Sequence, residues 1–212
     1  MTVLPDRRTR KRLATRQVIS DAATRLFLER GFDQVTVDEI AEAADVGLKT
    51  VFNHFSRKED MLFDRLEEIR ELLRGAALNR PPQVSPVEAF RLLAHRLIAE
   101  QSAYVNFSPA SVGWIETIVS SETLRDRARE LRDELAQVVT ASLAESVGRD
   151  QSDSSAELAA GLLLATWTVA LVQARRTLQR SGDVHEAQAT FLALIDQGAT
   201  GLSAAMNGTP YA

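Results

Sequence analysis

Seven consecutive residues, Leu48-Lys49-Thr50-Val51-Phe52-Asn53-His54, bring a cation, a hydroxyl, an amide and an imidazole onto one short element. Those groups suit phosphate oxygens and the edges of bases. Lysine reaches guanine O6 and N7, asparagine pairs bidentately with adenine, and leucine touches a thymine methyl. Leu48, Lys49 and Asn53 are therefore the base-edge candidates. A buried helix of this length would carry more apolar residues.

The flanking residues supply the frame. Thr36 is a good N-cap and Glu39, three residues on, closes a capping box. Val37, Ile40, Ala41 and Ala44 then share one helical face. Asp45-Val46-Gly47 breaks the pattern, with residue types that tolerate the left-handed backbone of a tight turn. The second short helix turns Val51 and Phe55 inward, and Ser56 with Glu59 predicts a capping box that opens a longer helix. Ahead of the pair, Thr15 to Arg30 reads as a helix with Val18, Ile19, Ala22, Leu26 and Phe27 inside, stopped by Gly31. Two short helices bury too little surface alone, so these three form one helix-turn-helix unit.

The block TVDEIAEAADVGLKTVFNHFSRKEDML, with AATRLFLERGFDQ ahead of it, resembles the DNA-binding domain of the TetR family of transcriptional regulators. The resemblance covers roughly residues 14–66, about a quarter of the chain. It implies an all-α fold of about nine helices: an N-terminal three-helix helix-turn-helix DNA-binding domain, then a larger C-terminal helical ligand-binding and dimerisation domain. Carried over position by position, it places Thr36, Thr50, His54 and Lys58 at phosphates, with Phe52 also in the DNA-binding set. Three positions depart from the family pattern. Phe52 stands where tyrosine is usual and lacks a phenolic donor. Asp45 stands where glycine is common and sets a negative charge near DNA. Gly47 replaces a frequent serine N-cap, a change worth only a few tenths of a kcal/mol.

The net charge of −4 argues against a nucleic-acid partner until its distribution is considered. Residues 7–12 hold five Lys/Arg and no acid, and up to residue 60 eleven basic side chains face ten acidic ones. The remaining residues carry 14 basic and 19 acidic groups, so the acidic surplus lies away from the candidate readers. Residues 1–13 are read as a basic arm that tracks phosphate or enters the minor groove, against the plainer reading of a solvated tail.

Residues 14–58 make the helix-turn-helix domain and 59–207 the second domain, with 59–79 a connecting helix that ends before Pro81-Pro82. Helices are expected from Pro86 to about Tyr104, from Ser108-Pro109, and from Ser121-Glu122 to about Val147. Two more follow, Ser155–Arg180 and Asp183–Met206, with Asn207 to Ala212 expected to fray. In the first of these, Leu158, Leu162, Ala165, Val169 and Val172 form one stripe, while Leu163, Leu164, Trp167 and Leu171 extend the apolar cover around it. Such a helix needs cover on several sides. A homodimer through the last two helices, residues 155–206, supplies it as a four-helix bundle, in keeping with the family's habit. The alternative is burial within one subunit.

The uncharged run Leu158–Ala174 is short for a membrane span and interrupted by Thr166, Trp167, Thr168 and Gln173, so it is read as a buried helix. No secretory signal is expected, and the absence of cysteine fits a cytoplasmic protein. Phe90, His95, Tyr104, Asn106, Phe107, Trp114, Trp167 and Gln173 are candidates for an apolar effector pocket with a few polar anchors. His54, His95 and His185 lack metal-ligand spacing, and no phosphate loop or nucleophile elbow is present. No catalytic, metal or cofactor site is expected. The readings that remain are a homodimeric repressor released from a palindromic operator by a small effector, and a constitutive or architectural DNA-binding protein. A catalytic helical protein is a distant third.

Overall fold

The computed structural model describes residues 6–212; residues 1–5 of the expected arm lie outside it. All regular structure among the described residues is helical, with nine α-helices and three short 3-10 turns. The chain folds as two compact units. One runs to Leu66 and also takes in Gly113–Ala128, and the second is made of Glu67–Val112 and Arg129–Ala212.

In the first unit, α1 spans Arg7–Arg30. It starts earlier than expected because Asp6 caps it, the carboxylate accepting from the Thr9 N–H at 2.7 Å. The basic residues Arg7 to Arg12 thus form exposed helical turns. The buried face also differs from the predicted stripe. Val18 is 49% exposed, and Ser20 is buried in its stead, donating its hydroxyl to the Met61 carbonyl at 3.0 Å. Gly31, at φ 82°, ends the helix in a backbone region that favours glycine.

α2 spans Val37–Ala43 and α3 spans Leu48–His54. Both halves of the Thr36–Glu39 capping box form. The left-handed residue of the turn is Asp45, at φ 52°, whereas Gly47 has ordinary extended φ as the N-cap of α3. The capping box expected at Ser56 does not form. Its hydroxyl donates to Asp60 at 3.3 Å, and a 3-10 turn, Glu59–Met61, precedes the next α-helix. Ile19, Phe27, Phe32, Ile40, Val51 and Phe55 form the core with Ile118 and Leu124 from the later segment. Arg127 pairs with Asp60 at 2.8 Å, Ser121 donates to Asp33 at 3.0 Å, and Trp114 meets Phe63 edge-on.

In the second unit α4 (Leu66–Leu78) is followed by α5 (Pro86–Ala99), α6 (Pro109–Ser120), α7 (Glu122–Ser146), α8 (Ser154–Ser181) and α9 (Val184–Ala205). α4, α6 and α7 each have residues in both units. α5 stops short of Tyr104 because Gln101 is left-handed, at φ 51°, and a separate 3-10 turn holds Ala103–Val105. The helical hairpin α8–α9 turns at Gly182 (φ 70°), after which Asp183 caps α9. Its core is short-chained, with Ala156, Ala159, Ala160, Ala170 and Ala174 of α8 meeting the cluster that holds Phe191, Ile195 and Leu202 of α9. The tail is anchored, not frayed: Tyr211 is fully buried and its carbonyl accepts from the Val87 N–H at 3.3 Å. A tyrosine ring supplies enough apolar area to hold a short segment against a core.

Candidate nucleic-acid interface

α3 has an inside and an outside. Val51 and Phe55 are buried, and the helix leaves Leu48, Lys49, Phe52 and Asn53 exposed with Thr50 and His54 half-buried. Phe52, at 55% exposure, is a large apolar ring held in water by a rigid element. The end of α3 is fixed by a residue that sequence reasoning missed. Arg16 of α1 donates to the His54 carbonyl, with its guanidinium 3.9 Å from the centre of the Phe55 ring. A cation at a helix C-terminus answers the negative end of the helix dipole. Nothing in local periodicity marks Arg16, which lies 38 residues before its partner. Burial lowers the His54 imidazole below its ordinary range, and Arg16 and Arg12 add to the effect.

Thr36 accepts from the Glu39 N–H at 3.3 Å, while its own N–H and hydroxyl both donate to Glu39 Oε2 at 2.8 Å. The N–H and hydroxyl bonds from Thr36, with the nearby Arg30, hold the Glu39 carboxyl down at about 2. Lys58, unlike the exposed Thr36, is half-buried. Its Nζ donates to the carbonyls of Phe32 and Val35, each at 2.8 Å, and sits 4.0 Å from the centre of the Phe32 ring. Burial pulls this ammonium below the usual lysine range, opposed by Asp33 and Glu59.

Lys58 therefore braces the turn between α1 and α2 with two of its three donors. Lys58→Ala is expected to lower unfolding free energy by about 2 kcal/mol, since both carbonyls lose a charged donor. The same variant should flatten the salt dependence of DNA binding by about one unit. Chemical denaturation and salt titration measure the two effects separately. For Asn53→Ala the expected result is relaxed preference at one operator position, worth about 1–3 kcal/mol. Equal losses on specific and random DNA would remove Asn53 from the reading set.

The proposed effector residues are distributed unevenly. Phe107 and Trp167 converge on Phe191, each with ring centroids 5.7 Å away. Phe90 is buried in the same core, and Gln173 is half-buried on α8. His95 Nε2 lies 2.7 Å from Asp196, which also accepts from Arg91 at 3.0 Å. Tyr104 donates to Glu68, and Asn106 is exposed. Trp114 belongs to the other unit.

The signature described as "Bacterial regulatory proteins, tetR family" matches residues 19–64, the α1–α3 region and its flank. TcmR, an HTH-type transcriptional regulator of Streptomyces glaucescens, is 36% identical over 85 residues, spanning 40% of this chain and 38% of that protein. BepR, an HTH-type transcriptional repressor of Brucella suis, is 31% identical over 173 residues, spanning 75% of this chain and 80% of its own. The chain belongs to the TetR family.

TetR-family regulators are DNA-binding proteins with the N-terminal helix-turn-helix built here from α2 and α3. Solved structures share the fold over nearly the whole chain. SmeT of Stenotrophomonas maltophilia, in a complex with triclosan, superposes with a TM-score of 0.57 at 17% identity, covering 89% of this chain and 91% of that one. NalD, the secondary repressor of the MexAB-OprM multidrug efflux pump of Pseudomonas aeruginosa, gives 0.57 at 20%, covering 89% and 96%.

Proposed function

We propose that the protein is a homodimeric transcriptional repressor, without catalytic activity, that reads a palindromic operator and releases it when a small, largely apolar effector binds the second unit. The observation that carries this reading is the division of α3: Val51 is sealed in the core while Leu48, Lys49, Phe52 and Asn53 face solvent. A helix held from behind with donors in front fits the major groove. Leu48, Lys49 and Asn53 read base edges. Thr50, His54 and Lys58 hold phosphates, joined by Thr36 once its hydroxyl turns away from Glu39, and Phe52 packs beside them. The exposed basic turns of α1 extend the phosphate contacts, and a regulator of this kind works in the cytoplasm.

The dimer is supported by α8. Leu158, Leu162, Val169 and Val172 are 38–53% exposed, with Ala165 exposed in line with them. This single stripe repeats at four- and three-residue steps, the spacing of a helix-packing seam. α8 is long and apolar enough to cross a bilayer by composition alone, but its opposite face packs on α9 in a protein core. A second copy of the α8–α9 pair covers the stripe. Among the relatives, the repressor names and the triclosan complex support an effector-released repressor. The cavity bounded by Arg91, Leu163, Trp167, Ile195, Gly198 and Leu202 holds about 10 Å³, room for one water at most. An effector entering there displaces side chains, and that difference between free and bound states is what couples a ligand to a conformation.

Selection of bound sequences from random DNA tests the whole reading. A palindromic consensus with half-sites about one helical turn apart is expected, together with a dimer by light scattering. An asymmetric or absent consensus, or a monomer at working concentration, overturns it. His54 adds a pH signature. Its free imidazole is held low, and a nearby phosphate raises it, so binding takes up a proton. Operator affinity should therefore rise as pH falls from neutral toward the depressed range. A His54→Gln variant should lose that part of the pH profile.

A further inference from the structure

Arg175 of α8 stands apart from the other half-buried arginines of the second unit. Arg70 reaches Glu67 and Glu134, Arg91 reaches Glu88 and Asp196, and Arg80 donates to the Ser146 carbonyl. For Arg175 no hydrogen-bond or ion-pair partner is found among the described residues, and its Nε is sealed from solvent with nothing to donate to. Burial alone lowers its affinity for the proton, with no carboxylate opposing the shift. The residue is half-buried, so its terminal nitrogens still reach solvent, while the Nε, like those of Arg70 and Arg80, has lost its water with no bond in return. What sets Arg175 apart is a guanidinium with no acid or carbonyl beside it among the described residues.

The position on α8 narrows what the missing partner is. At about 100° per residue, Leu164, Thr168 and Leu171 fall within roughly 40° of Arg175. They form a lateral stripe whose two leucines pack partly against the core. The exposed stripe Leu158–Leu162–Val169–Val172 is centred roughly 100° away around the helix. Arg175 is therefore at the end of an apolar track separate from the face assigned to the second copy. A guanidinium at the end of an apolar track suits an amphiphile with a carboxylate head, which it grips by two parallel N–H bonds.

We propose that Arg175 is the anchor for a carboxylate-bearing effector whose apolar body lies along Leu164, Thr168 and Leu171. This rests on the ligand-responsive reading above, places the effector on the Arg175 face of α8 instead of in the small cavity beside Gly198, and gives it a charge that the sequence did not suggest. Octanoate and benzoate, each against its neutral amide, are the probes, with full-length protein and no DNA. Calorimetry is expected to show at least one carboxylate binding about tenfold or more tighter than its amide. In Arg175→Met that preference vanishes, and the ligand-free variant melts at the same temperature as the parent or higher, because a half-buried charge without a partner is gone. Arg175→Gln serves the same comparison if the methionine variant does not fold. Three results overturn the proposal: no carboxylate preference in the parent, a preference that survives in either variant, or a variant that only weakens dimerisation, which would assign the counter-charge to the second copy. Operator selection is a separate measurement, so a protein that selects a palindrome but ignores carboxylates loses this inference alone.

Discussion

Tyr211→Ala is expected to lower unfolding free energy by about 3–5 kcal/mol, the range for deleting a buried aromatic ring. Tyr211 is fully buried in a cluster that includes Val87, Phe191, Leu202 and Met206. Its carbonyl accepts from the Val87 N–H and its N–H donates to the Thr209 hydroxyl at 3.3 Å. Removing the ring leaves a cavity and frees the segment whose backbone satisfies the start of α5. For a chain of this size the melting temperature should fall by about 6–20 °C. Tyr211→Phe provides the control. The hydroxyl has no hydrogen-bond partner among the described residues, so its loss should cost less than about 1 kcal/mol. Equal destabilisation by both substitutions would mean that the hydroxyl, not the ring, holds the tail.

Gly198→Leu is expected to cost about 3 kcal/mol, at the upper end for overpacking. A Cβ at Gly198 would stand 2.2 Å from Thr166 Cγ2 and 2.8 Å from its hydroxyl, closer than real contacts allow. Thr166 is β-branched and has little rotamer freedom to yield. Glycine within an exposed helix ordinarily weakens it by about 0.5–1 kcal/mol relative to alanine, so Gly198→Ala would stabilise α9 in open space. Here the contact reverses the sign. Adding Thr166→Ala to Gly198→Ala should recover most of the loss, and a double-mutant cycle in denaturant isolates that coupling. A stabilised Gly198→Ala single variant would show that α8 and α9 are less closely packed at this point.

Much of the DNA-reading unit was legible because its signals are local. The Thr36–Glu39 capping box, the Asp45 turn and the inward Val51 and Phe55 are set by neighbours within one or two helical turns, and α2 and α3 fall at the expected residues. The same holds for the break between the last two helices, expected between Arg180 and Asp183 and found at Gly182. What local pattern could not reveal depends on distant partners. Ser20 is buried in place of Val18 because the Met61 carbonyl, 41 residues on, accepts its hydroxyl. Lys58 reads as a free cation until the carbonyls of Phe32 and Val35 are seen around it. Ser56 has the residue type of a helix cap, yet its hydroxyl goes to Asp60, whose carboxylate also holds Arg127. The burial of Tyr211 has no periodicity to announce it, since one ring in a short tail makes no pattern. Arg175 is the extreme case: sequence supplies the cation but cannot show that no acid among the described residues meets it.

The assignment of Gly113–Ala128 to the first unit bears on anyone grafting this DNA reader onto another regulator. The chain passes between the units inside α4, α6 and α7, never through a linker. A fragment cut after Leu66 discards Ile118 and Leu124 from its core, exposes Phe63 where Trp114 had lain, and strands Asp60 without Arg127. The helix-turn-helix is therefore not a portable cassette. A chimaera must import the α6–α7 corner along with it or redesign the surface that corner leaves bare.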